Sequence, residues 1–311
     1  MWFKNLIVLR LPAGWELDVD TLADALLPQA FSEASSVEET RIGWAPPREG
    51  DASLVYAVGR QMLIALRQEK KLLPARVVSQ FVKQRAEKIE ADEGFKPGRK
   101  RMKELKEIVR DELLPRAFSL STDTYAWIDP VAGWLVVDAS SQSRADEVIG
   151  LLAKALKGFP GRPLKTVLSP AAAMTDWLVE DEAPAGFSID QDVVLSARDS
   201  KATVRYANQS LEADDVTRHT KAGKQCTKLA LTWTDRVSFV LTDTLGIRRV
   251  RPLDVLKETG STAGADADER FASDWVLMTG ELASLLGGVV DALGGPLPTA
   301  GLDAPGPAQA A

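Results

Sequence analysis

Lys96, Arg99, Lys100, Arg101, Lys103 and Lys106 place six cations around one carboxylate, Glu104, within eleven residues. Ammonium and guanidinium groups at that density hold phosphates by charge and by N–H donation, and they need no pocket to do it. The surrounding segment 60–116 carries 16 Lys and Arg against nine Asp and Glu, whereas the remainder carries 22 against 35. The formal charge of −6 therefore conceals a basic segment in an acidic chain, and a one-sided positive surface of this kind suits a polyanion. Arg99, Lys103, Lys106 and Arg110 recur at i, i+4, i+7 and i+11, one side of a helix. Met102, Leu105, Val109 and Leu113 fall on the neighbouring arc, so packing that arc would hold the cations beside a contact surface. The same spacing also suits a solvated face neutralised by Lys100 with Glu104 and Lys103 with Glu107, and periodicity alone leaves both open.

Other chemistries find little support. Gly94-Phe95-Lys96-Pro97-Gly98-Arg99-Lys100 has three residues between its glycines, no Ser or Thr after the lysine and a helical segment before it, so it is no triphosphate cradle. His219 is the only histidine and reads as an ordinary helix residue, which leaves no multi-histidine metal site. Asp214-Asp215 reads as helix amino-terminal charge and Asp266, Asp268 and Glu269 as linker, so neither is taken as a magnesium site. Cys226, the only cysteine, sits in a strand-like run and is expected to be a buried structural thiol, which fits a reducing compartment. Trp2, Trp127, Trp134 and Trp233 fall in strand-like runs where core packing is the default. No enzyme class, metal or cofactor is expected.

The elements that must position the cations follow from pattern. At 311 residues and 45% hydrophobic composition the chain has enough apolar mass for a substantial core. Residues 2–10 read as a first strand and not a signal peptide, and no stretch is expected to span a bilayer. A helix over 18–29 follows, then strands at 53–58 and 61–66 joined by Gly59-Arg60. Helices over 75–91 and 99–114, joined through Gly94–Gly98, form a basic helical hairpin, with Val78, Phe81, Val82, Arg85 and Ile89 on one side of the first. A second strand pair, 125–129 and 134–138, precedes helices at 143–158 and 171–179. Strands at 193–197, 202–206, 228–233, 237–241 and 248–250, with a helix at 213–222, are expected to build a second sheet, closed by a helix over 271–293. The resulting class is α+β, with mixed sheets, flanking helices and a projecting helical finger. Its regions are 1–74 with 117–165, the finger 75–116, a carboxy-terminal part 166–294 and a disordered tail 295–311. Leu113–Ser119 puts an apolar tip beside Arg116 where a helix ends, which suits either an exposed docking loop or a helix stop with Phe118 buried.

Several blocks resemble the RdgC family of bacterial recombination-associated proteins: Trp2–Leu6, Gly43-Trp44 with Pro46-Pro47, Glu69–Pro74, Leu113–Ser119, Trp127–Asp129, Leu229–Trp233 and Leu277–Leu282. The likeness spans all but the tail after about residue 295. It implies a subunit that pairs head to head and tail to tail into a ring-shaped homodimer, with duplex DNA in a positively lined hole. It further implies sequence-independent binding in the nucleoid of the cytoplasm that restrains the RecA recombinase, with no catalysis, cofactor or membrane. On this resemblance the expected DNA contacts are Lys70, Lys71, Arg76, Lys96, Arg99, Lys100, Arg101, Lys103, Lys106, Arg110 and Arg116. Gln209 falls where the family places a polar DNA contact, beside Asn208 where relatives are often basic, and Phe118 becomes a dimer-interface residue. The rival reading is a regulator of recombination that grips a protein partner directly through the basic stripe.

Overall fold

Leu6, Ile7, Val8 and Leu9 are all buried, so the first strand, β1 (Leu6–Arg10), needs cover on both faces. The computed structural model describes residues 1–32, 38–209, 213–259 and 266–297 and supplies that cover. After β1 come α1 (Val19–Leu26), β2 (Thr40–Ala45), β3 (Val55–Val58), β4 (Gln61–Leu72), α2 (Ala75–Glu93), α3 (Arg99–Leu113), β5 (Phe118–Asp129) and β6 (Trp134–Asp138). They are followed by α4 (Gln142–Ala155), β7 (Arg162–Pro163), α5 (Pro170–Glu180), β8 (Phe187–Ala197), β9 (Thr203–Tyr206), α6 (Ala213–Lys221) and β10 (Lys224–Trp233). The chain closes with β11 (Val237–Thr242), β12 (Ile247–Pro252), α7 (Asp254–Thr259) and α8 (Ala267–Ala292). The class is α+β, as expected.

The expected mixed sheets, one in each half, resolve into a single twelve-stranded sheet ordered β2-β4-β5-β6-β1-β12-β11-β10-β8-β9, with β3 on β4 and β7 on β1. Every pair of named strands is antiparallel. The join is narrow: β1 pairs β6 from Leu6 to Arg10 on one edge, but on the other β12 registers with it only at Leu6 and Ile247. The Val250 N–H donates to Lys4 O (3.0 Å) beside that pair. Such pairing between distant segments leaves no local pattern, which is why two sheets are expected from sequence. β2, β7 and α7 are likewise additions to the sequence reading. In β2, Gly43 is required by packing, since a Cβ there would stand 2.6 Å from Phe31 Cα.

Two cores flank the sheet. One, under α5, α6 and α8, runs without a break from Leu63 and Trp127 across Leu6 to Leu229 and Phe239, so it ties the two halves of the sheet together. The other gathers Ile7, Leu9, Ile64, Ile128 and Val137 under α1 and α4. Trp127, Trp134 and Cys226 are buried as expected, while Trp2 and Trp233 are half-buried. α8 corrects two expectations. By length and composition it could cross a membrane, yet it buries Trp275, Met278, Leu282, Leu285, Leu286 and Val289 in the first core and is a core helix. Its amino terminus is capped by Asp266, which accepts the Glu269 N–H (2.8 Å), so Asp266, Asp268 and Glu269 are cap and first turn and not linker. Of the expected tail, Gly295 and Leu297 bond back to Val167 and Lys165 (3.0 and 2.9 Å), and the remainder from 298 lies outside the described residues. The glycine-containing run 260–264 also lies outside them.

Candidate nucleic-acid interface

Strands β4 and β5 pair without a break from Met62↔Ile128 to Leu72↔Phe118. Because β6 pairs β5 only over Ala126–Asp129, the outer part of this ribbon runs past the neighbouring strand with one edge of β5 unpaired. The sequence reading stops β4 at 66 and begins β5 at 125. Both strands are twelve residues long. The α2–α3 hairpin stands at the ribbon's far end. Gly94 closes α2 in the left-handed conformation (φ 80°) that glycine adopts without a Cβ clash, and its N–H donates to Glu90 O. Pro115 stops the return, in a 3₁₀ turn over Leu114–Arg116.

The hairpin has a core of its own, Val78 and Val82 against Leu105 and Val109, with Ile89, Met102 and Leu113 half-buried around it. This is the apolar arc expected for α3. On α2, Phe81 departs from expectation: it is 45% exposed and faces away from that core.

The cations sort into two sets. Arg85 grips Glu112 with both guanidinium nitrogens (2.9 and 2.6 Å), and Arg101 grips Glu93 likewise (2.6 Å each). These hydrogen bonds raise both arginine pKa values and lower that of Glu112. Arg110 is bound by Glu39, the residue before β2, while on the ribbon Arg67 holds Asp123 (2.7 Å) and Arg41 holds Glu69 (2.5 Å). The second set is not ion-paired, although Lys71 and Arg116 lie in the fields of Glu69 and Glu112. Lys70, Lys71, Arg76, Lys96, Arg99, Lys100, Lys103, Lys106 and Arg116 make no ion pair among the described residues, and all but the half-buried Lys71 are exposed. Neither of the pairs that would have made α3 a self-neutralised face, Lys100 with Glu104 or Lys103 with Glu107, forms. The i, i+4 pair present is Lys83 with Glu87 on α2 (3.8 Å). Like charges at these spacings cost a helix about 0.2–0.5 kcal/mol per pair, so α3 keeps Arg99, Lys103 and Lys106 against its local preference.

Phe118 is 84% exposed and is the first residue of β5, which removes the buried helix-stop reading; it lies in a strand and not in a loop. The register aligns Leu72 with Phe118, Lys70 with Leu120 and Ile42 with Gln68, and directly opposed residues share a face. Ile42, Leu72, Phe118 and Leu120 therefore form one exposed apolar face around Lys70. Sequence reasoning misses Ile42 and Leu120 because only the cross-strand register brings them beside Phe118. Gln209 is exposed just after β9, at the opposite end of the strand order from β4, so a single chain does not bring it to the hairpin. Its neighbour Asn208 is held in a left-handed conformation (φ 52°) with its N–H directed to Asp192 Oδ1 (3.3 Å).

Pocket chemistry is sparse. An open cleft of about 460 Å³ is lined by Met1, Arg48, Tyr125, Asp268 and Phe271. Its arginine is already committed, stacked between Tyr56 and Phe271 (5.1 and 5.0 Å) and paired with Asp51 and Asp268. Among the described residues no group of three or more His, Cys, Asp and Glu is placed to hold a metal ion.

Fold and site together define an α+β protein whose conspicuous feature is a projecting ribbon and hairpin bearing cations that make no ion pair among the described residues. A family model described as "Putative exonuclease, RdgC" matches residues 1–296. The chain is 55% identical over 298 residues to the recombination-associated protein RdgC of Paraburkholderia phymatum, covering 96% of this chain and 98% of that one. It is 55% identical to its namesake from Burkholderia cenocepacia (95% and 96% covered) and 56% identical to that from Herminiimonas arsenicoxydans (95% and 98%). The chain belongs to the RdgC family, as the sequence blocks lead one to expect.

Proposed function

We propose that this protein binds double-stranded DNA without sequence preference, encircling it as a ring-shaped homodimer in the nucleoid, and that by occupying DNA it restrains RecA-mediated recombination. The observation that carries the reading is the row of Arg99, Lys103 and Lys106 on α3, exposed and unneutralised on a projecting, separately packed hairpin. Lysine and arginine aimed at a duplex without directed base contacts supply affinity and no sequence readout. Lys70, Lys71, Arg76, Lys96, Lys100 and Arg116 add further cations on the ribbon and hairpin, Lys70 and Lys71 on opposite faces of β4, whereas Arg101 and Arg110 reach DNA only by exchanging Glu93 and Glu39 for phosphate. The recombination-associated names of the relatives agree with a DNA-bound role. The family description also names an exonuclease, and our reading is binding without cleavage, with no cofactor and no membrane.

The test is duplex binding across a salt series. Neutralising around six phosphates gives a log–log slope near −5, from about −0.9 per contact. Replacing Arg99, Lys103 and Lys106 together by Ala is expected to weaken binding and flatten the slope by about one unit per lost contact. The melting temperature should hardly move, because exposed charges contribute little to folding. End-labelled duplex incubated with the protein and magnesium should stay full length. Salt-insensitive affinity, or a folded triple variant with unchanged affinity, would point to the rival reading in which the stripe grips a protein.

A further inference from the structure

Among the described residues four ion pairs involve the α2–α3 hairpin, and three of them close within it: Lys83 with Glu87, Arg85 with Glu112 and Arg101 with Glu93. The fourth leaves it. Arg110 of α3 meets Glu39, the residue before β2, and no other ion pair among the described residues joins the hairpin to the rest of the chain. The sheet fixes the backbone of Glu39. Its carbonyl accepts the Lys71 N–H (2.8 Å), and the next two residues, Thr40 and Arg41, pair with Lys70 and Glu69 of β4. The carboxylate is therefore presented to α3 by the sheet.

Arg110 shares its side of α3 with Arg99, Lys103 and Lys106, and of those four it alone has an ion-pair partner among the described residues. Its grip differs from the grips inside the hairpin. Arg85 and Arg101 each commit two guanidinium nitrogens to one carboxylate, whereas Arg110 donates to Glu39 through Nη2 alone. The same fork keeps donors for an incoming phosphate, which can bind before the carboxylate leaves. A guanidinium fits the paired oxygens of a carboxylate and of a phosphate equally well. Both side chains are nearly half exposed, at 43% for Arg110 and 45% for Glu39, so a duplex lying on the stripe can reach them. Exposed ion pairs of this kind hold weakly and are screened by salt. Every residue of the hairpin core lies between 73 and 113, so the pair with Glu39 is no part of what folds the hairpin.

We infer that Glu39 is a positioning residue for DNA binding: its carboxylate stands at Arg110 in the place of a backbone phosphate and is displaced when a duplex lies on the stripe. The inference rests on the DNA-binding reading above. Three cations of the stripe are open to DNA at once, and the fourth is withheld by the sheet until phosphate competes for it. Glu39 thereby sets the affinity below what the stripe alone would give, and it acts through Arg110 without touching DNA.

The experiment compares full-length wild type, Glu39→Gln, Glu38→Gln, Arg110→Ala and Glu39→Gln/Arg110→Ala on one duplex at about 0.1 M salt, where charges more than about 10 Å from the DNA are screened. Glu39→Gln is expected to bind about two- to fivefold more tightly than wild type, the change that giving up an exposed ion pair corresponds to. A damaged fold weakens binding, so a gain reads the competition and not the structure. Glu38→Gln removes the same charge one residue earlier, from an exposed side chain with no ion pair among the described residues, and should bind like wild type. In the Arg110→Ala background the gain from Glu39→Gln should vanish, because the carboxylate then has nothing to withhold. A Glu39→Gln protein that binds no more tightly than wild type would overturn the inference. So would a gain that survives the loss of Arg110 or that Glu38→Gln reproduces, since either shows only the removal of negative charge near the duplex. Those results leave the function standing, whereas salt-insensitive binding by the wild type in a parallel series would remove the functional reading itself.

Discussion

Cys226 shows how completely burial decides the chemistry of a single residue. Its N–H donates to Thr175 Oγ1 (2.9 Å), its thiol to Lys228 O (3.3 Å), and desolvation pushes its pKa up to about 12. An unfolded thiol titrates near 8.5. The raised folded value means that this group's contribution to stability is fully present below pH ~8.5 and is lost as the pH rises toward 12. We predict that iodoacetamide at pH 8 leaves the native protein unmodified and labels it promptly in denaturant, read by intact mass. Rapid native labelling would show a thiol far more accessible than this strand provides. Arginine and lysine differ here for the same kind of reason. Arg85 and Arg101 have bidentate carboxylate partners, whereas Lys103 and Lys106 project into solvent and keep their charge available.

Among the elements, the α2–α3 hairpin was the most legible in sequence. The 3.6-residue recurrence of Val78, Val82, Leu105 and Val109 is local information, and those four residues are its core. The outer halves of β4 and β5 were illegible for the opposite reason. Arg67, Glu69 and Lys71 alternate with Gln68 and Lys70, so neither face reads as buried, and pairing is fixed by partners far along the chain, Asp123 for Arg67 and Arg41 for Glu69. The basic composition was visible, but which cations were already spoken for was not, because Glu39 and Glu93 become partners only once the chain folds. A core of four buried side chains contains little apolar area, so the hairpin should open below the global unfolding threshold. Leu105→Ala, a change that typically costs 2–5 kcal/mol in a core, is expected to abolish amide-exchange protection in 75–113 while the main melting transition moves little. A fall in the global transition comparable with that of a Leu135→Ala variant in the sheet would show that the hairpin folds with the body.

At the scale of the whole molecule, the exposed apolar face of the β4–β5 ribbon calls for an occupant. Phe118 and Leu120, 84% and 57% exposed, lie with Leu72 on a strand pair whose β5 edge is unpaired beyond β6. An uncovered edge with an apolar face recruits another chain. In the ring-dimer reading the occupant is a second copy, and Phe118 is the anchor of one of two contacts. Phe118→Ala then removes a large aromatic from a small interface, at a cost on the order of 2 kcal/mol there. The other contact still holds the pair, so the expected product is a dimer by mass that opens at one gate. Such a dimer should lose its grip on closed circular DNA much more than on short linear fragments, since encirclement delays dissociation only where there is no end to slide off. The comparison is the dissociation half-life on a circle and on the same circle cut once. Wild-type protein should gain residence time from closure of the circle and Phe118→Ala should not. An Ala variant as persistent on circles as wild type would end the gate assignment, and a variant that fails to fold would return Phe118 to a structural role.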